Sequence, residues 1–134
     1  MALTLDEFLT DWTIDTINAR KVFESWHAMF QGMPGVECSF KSRPGISHSL
    51  RLASKTNSKR PLFALIDVVD DDPDNRWLSV CFYADLVTDP EGLGDIVPAG
   101  LEGEDAICFN LDDDNGATAD YIRKRLQEAA ANAA

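Results

Sequence analysis

The chain has 134 residues, enough for one domain that buries roughly two thirds of the surface its unfolded chain exposes. Its net charge of −11, from 23 acids against 12 bases, argues against nonspecific nucleic-acid or anionic-membrane binding, because both rest on a basic footprint. No apolar run approaches the ~20 residues that span a bilayer, and the opening MALTLDEFLTDW carries acids where a secretion leader carries Lys or Arg. A cytoplasmic protein is expected.

Thr4 and Glu7 stand at capping-box spacing, with Leu3 and Phe8 at the positions of a hydrophobic staple, so a helix is predicted to start there. Leu5, Phe8, Leu9 and Trp12 recur at i, i+3, i+4 and i+7. A second helix is predicted over 15–31, with Ile17, Val22, Phe23, Trp26, Met29 and Phe30 as its apolar stripe and Gly32, Pro34 and Gly35 as its stop.

Alternation then predicts strands at 36–42 and 46–53 around an Arg43-Pro44-Gly45 turn. The polar, basic stretch 53–61 reads as a mobile hairpin tip. The clearest hairpin follows at 60–86, where strands 62–69 and 76–86 flank an acidic turn. Leu62, Ala64, Ile66 and Val68 pair with Leu78, Val80, Phe82 and Ala84 as a core face. The opposite phase holds Phe63, Leu65, Asp67 and Val69 beside Trp77, Ser79, Cys81 and Tyr83, too apolar for ordinary surface, so both faces are expected to be at least partly covered.

The nineteen residues 87–105 are rich in Gly, Pro and acids and form a longer connection than usual. They are expected to pack across the sheet, with a helical turn near 90–93. A fifth strand at 106–111 and a last helix at 117–130 follow, the helix capped by Asp114 or Asn115, buried through Ile122, Leu126 and Ala129, and frayed at AAANAA. The order predicts a single α+β domain over 1–134: an antiparallel sheet of about five strands, with the N-terminal and C-terminal helices mainly on one face.

Charge is segregated along the chain. Residues 38–66 hold six bases and no acid, whereas 67–120 hold sixteen acids and one base, Arg76. Arg43, Arg51 and Arg60 are candidates for an anion site, set against the alternative that they answer the acids of 87–105 through surface ion pairs. Phe63, Trp77 and Tyr83 mark an apolar patch suited to a small ligand or a homodimer if the long loop leaves it open, and core if it does not.

Asp70, Asp72, Asp112 and Asp114 are the candidate ligands of a looser cation site, for iron or calcium. A calcium-loop reading of DDDNG fails, since Leu111 and Ile122 occupy positions that need oxygen ligands. Cys38, Cys81 and Cys108 are odd in number without CxxC spacing and read as reduced packing residues; His27 and His48 are too far apart for a Cys/His zinc site. His48 lies on the apolar phase of its strand, as a hydrogen-bonded core histidine would. No GxSxG, GxGxxG or GxxxxGK[ST] motif occurs, so no catalytic residue and no cofactor is expected.

From Trp26 onward the chain resembles the small YdhG-like domains. The shared features are a helix ending in Met-Pro, a strand with a Lys, a Phe-Ala strand, an aromatic strand and an acidic, glycine-bearing loop. TDPEGLGDIVPAGLEGED resembles the family's Asp-Pro-x-Gly-Leu stretch, and ICFNLDDDNGATADYIRKRL its closing strand and helix. The family's tyrosine-glycine-methionine-proline turn is absent, with PGISHSLR nearby instead. The resemblance implies a compact α+β fold without an established catalytic set, attached loosely to frataxin-like iron handling, and no functional residue carries over. The expectation is a cytoplasmic, non-catalytic binding domain with an unknown protein or small-molecule partner. The alternatives are an acidic metal chaperone and a structural homodimer.

Overall fold

The structure, a computed structural model, describes residues 2–56 and 59–133. The tip of the basic hairpin at Asn57 and Ser58 lies outside the described residues. Three helices and six strands follow in the order α1 (Leu5–Asp11), α2 (Ala19–Gln31), β1 (Val36–Arg43), β2 (Ser47–Ser54), β3 (Ala64–Val69), β4 (Trp77–Tyr83), β5 (Asp95–Leu101), β6 (Glu104–Leu111) and α3 (Gly116–Ala133). The fold is α+β with one antiparallel sheet in the order β1-β2-β3-β4-β6-β5. No helix among the described residues is long and apolar enough to cross a membrane.

The helix ends follow local chemistry. The Thr4 side chain accepts from Glu7 N while Glu7 accepts from Thr4 N, the reciprocal box that satisfies two first-turn donors. α2 begins four residues later than its apolar period suggests. Asn18 takes the left-handed conformation (φ 58°), and the Asp15 carboxylate, four residues before the first helical residue, accepts from Ala19 N and Arg20 N. Asn115 caps α3 by accepting from Ala117 N and Thr118 N. The expected fraying at the C-terminus is replaced by helix to Ala133, because Ala129 and Ala133 are buried and Asn132 donates to Leu86 O.

All three helices pack on one sheet face. Phe8, Trp12, Phe23, Trp26, Phe30, Ile122 and Leu126 meet Leu50, Leu52, Ile66, Val68, Leu78, Val80, Phe82 and Phe109 in one core. The register of β3 on β4, with Ile66 opposite Val80 and Val68 opposite Leu78, is the core phase read from alternation.

Three expectations are corrected. The sheet has six strands, since Asp95–Leu101 within the long connection pairs with β6 as an edge strand rather than packing across the sheet. At 89–92 a turn closed by Gly92 N donating to Asp89 O takes the place of a helical turn. Gly94 lets this connection press on the core, because a Cβ there would fall 2.7 Å from Ile107 Cγ1 and 2.9 Å from Phe109 Cε1. Finally, Cys81 and Cys108 are not reduced: they stand opposite each other on β4 and β6 and form a disulfide, leaving Cys38 as the free cysteine.

Candidate functional site

The second sheet face is the main candidate. Its rows run across the strands: Ser39, Arg51, Leu65, Cys81, Cys108 and Asp95 in one, and Lys41, Ser49, Asp67, Ser79 and Asn110 in the next. Val69 opposite Trp77 lies one pair further. Leu65, Val69 and Trp77 are half-buried by their neighbours and belong to no part of the core under the helices. All three helices pack on the opposite face of the sheet, while Glu102 of the β5–β6 turn reaches this face at Arg51.

Asp67 sits at the centre of this face. Burial among these side chains pushes its carboxyl pKa up, an effect only partly offset by the Ser49 hydroxyl, which donates to Oδ1, and by the nearby Arg43 and Arg51 guanidiniums. Sequence reading passed over Asp67 as a candidate, although an acid flanked in phase by Leu65 and Val69 was a visible anomaly.

The six predicted ligand-binding residues separate. Trp77, Arg43 and Arg51 remain on the open face. Arg43 donates to Ser47 Oγ, and Arg51, with 36% of its side chain exposed, lies 3.9 Å from Glu102. Tyr83 is also on this phase, but Arg60 roofs it: the guanidinium carbon lies 4.0 Å from the ring centroid and Tyr83 is 1% exposed. Arg60 in turn donates to Asp85 and to Glu104 through paired bonds of 2.7–3.1 Å, which holds its pKa further above the ordinary guanidinium value. These groups border a cleft of about 450 Å³.

Phe63 is on the other side of the sheet. β3 pairing begins at Ala64, so alternation is not yet in force at Phe63, and its ring packs 6.0 Å from Phe30 in the core. It borders a second cleft with Met33, Pro34, Val36 and Ala130.

The four predicted metal ligands are also separated by function. Asp72 caps its turn by accepting from Asp74 N and Asn75 Nδ2, and Asp114 accepts from Asn18 Nδ2. Asp112 is exposed just past β6. Asp70 is buried at 5% exposure in a separate network. Among the described residues, no three His, Cys, Asp or Glu side chains stand together as a ligand set.

The Asp70 network contains a Ser–His–Asp chain. Ser42 Oγ lies 2.9 Å from His48 Nδ1, and His48 Nε2 lies 2.7 Å from Asp70 Oδ2. Such chains activate nucleophiles, but two features point this one towards structure. Asp70 Oδ1 is taken by Arg76 Nε at 2.7 Å, and the His48 ring is stacked 3.9 Å from Phe8 beneath α1. Arg76 also reaches Asp11 at 3.1 Å, tying α1 to the sheet. Burial opposes ionisation of Asp70, yet the bonds from Arg76, His48 and Gly45 N hold its carboxyl below the usual range.

Comparison with family models, with curated proteins and with solved structures finds no match to this chain. The resemblance to the YdhG-like domains therefore rests on the quoted sequence stretches alone.

Proposed function

We propose that the chain is a non-catalytic binding domain whose working surface is the open sheet face, with Lys41, Arg43 and Arg51 as its anion-receiving side. One observation carries this reading: half-buried Leu65, Val69 and Trp77 lie in phase with a desolvated Asp67 on the sheet face opposite the helices. Apolar surface around a few placed polar groups is the usual make-up of a recognition site. Arg60 is left out of the anion-receiving side because Asp85 and Glu104 already engage it.

The test is an NMR titration with inorganic phosphate and with succinate. The amides of Arg43 and Arg51 and the Trp77 indole are expected to shift together, with the core Trp12 and Trp26 indoles unmoved. Absence of any shift at Arg43 and Arg51 would remove the anion-receiving role.

A cytoplasmic setting remains the proposal for compartment. It makes the Cys81–Cys108 bond conditional, since cytosolic thiol pools keep such pairs reduced.

A further inference from the structure

Charge is distributed across the open face in a definite direction. Lys41 and Arg43 on β1 and Arg51 on β2, the last with its own Glu102 at 3.9 Å, make one side basic, while exposed Asp95 on β5 stands on the other, beside a Glu104 that Arg60 already engages. The half-buried apolar residues Leu65, Val69 and Trp77 lie on the central strands β3 and β4. Resting on the reading of this face as the working surface, we infer that its occupant is a second copy of the chain, packed face to face about a two-fold axis parallel to the strands.

The axis follows from the charges. Two identical faces packed with their strands aligned can be related by a two-fold lying in the plane between them, either along the strands or across them. An axis across the strands sets β1 on the partner's β1 and stacks bases on bases. An axis along the strands exchanges the two sides, so β1 and β2 lie over the partner's β5 and β6. Placed between β3 and β4, this axis sets Val69 over the partner's Trp77 and Leu65 over the partner's Cys81. Arg51 then comes over the partner's Cys108, within side-chain reach of the partner's Asp95. Glu37, the acid on β1, falls at the rim over the partner's Val97.

The size of the face fits this occupant. Six strands about 4.8 Å apart, each several residues long at about 3.4 Å per residue, give the sheet a footprint of roughly 700 Å², of which Arg60 roofs the Tyr83 end. Standard stable interfaces bury about 800 Å² per partner. Aligned packing of two sheets is an established solution for such faces, and the two-fold closes the assembly at two copies.

Sedimentation equilibrium over a wide concentration range tests the assembly, together with acrylamide quenching of tryptophan fluorescence. Trp12 and Trp26 are buried in the core, so Trp77 supplies the quenchable signal, and Trp77→Phe identifies it. The expected result is a mass of twice 14.8 kDa, with Trp77 becoming protected as the dimer forms. Arg51→Glu and Asp95→Arg should each weaken the dimer tenfold or more, and an equal mixture of the two variants should restore it, because opposite charges meet again in the heterodimer.

A mixture that stays monomeric overturns the arrangement, as does a dimer in which Trp77 stays quenchable. A monomer at every concentration with Trp77 quenched overturns the second copy but leaves the open face for another partner. If Trp77 is unquenched in a monomer, the face is covered from within the chain, and the binding-face reading fails as well.

Discussion

Asp70 and Asp67 are carboxylates three residues apart on opposite faces of the same sheet region, and their surroundings move them in opposite directions. Asp70 is held by Arg76, His48 and Gly45 N, and removing it would leave Arg76, 6% exposed, without its buried partner. Breaking such a pair costs about 3–5 kcal/mol, so Asp70→Ala is expected to lower the urea midpoint by that equivalent. The sign with pH is fixed by the lowered folded-state value. The stabilisation from Asp70 is present above the unfolded carboxyl pKa of about 3.9 and is lost as acid protonates the folded carboxyl below it. Urea midpoints of the wild type and Asp70→Ala should therefore converge on acidification. Asp67 has the opposite sign: its raised value means that its charge opposes folding at neutral pH.

Among the elements, β4 and β6 show what the sequence could and could not convey. Alternation at 62–69 and 76–86 was enough to read the central hairpin and its core phase. The capping box at Thr4 was legible because its partners are three residues apart. The sixth strand was hidden because Asp95–Leu101 holds Pro98 and Gly100, has no strong β-formers beyond Ile96 and Val97, and is exposed along nearly all its length. Without that strand, nothing placed β6 next to β4, so the meeting of Cys81 and Cys108 could not be foreseen. Phe63 was misplaced because period-two reasoning was extended across a bend before β3. The open face was half legible: its apolar phase was visible, but how much of it is covered depends on where the long connection and Arg60 go. The disulfide closes a segment of 27 residues, and chain-entropy arguments give such a closure about 3.5 kcal/mol. Cys81→Ser with Cys108→Ser should lose about that much in denaturant unfolding, and the wild type should match it in excess reductant.

For the whole molecule, salt should act in two directions. With 23 acids against 12 bases, the folded chain repels itself, and screening that repulsion should raise the melting temperature modestly as sodium chloride increases. The proposed dimer depends on attraction between unlike sides of the open face, so the same salt should weaken it. Calorimetry at low protein concentration and sedimentation at high concentration would then show opposite trends. If both rose with salt, the dimer contacts would be mainly apolar and the charge-directed axis would lose its support.

The two lateral borders of the sheet bear on a different hazard. An exposed border strand offers unpaired N–H and C=O groups to any passing extended chain, which is how fibrils grow. On β5, Pro98 lacks an N–H and the register is broken between Val97 and Leu101. Ala99 turns to φ 53°, and its N–H is taken by Asp105. On β1, exposed Glu37, Lys41 and Arg43 place charge along the opposite border. Indefinite growth by strand addition is thus discouraged at both borders, and the broad face is left as the place where this sheet can meet another chain without polymerising.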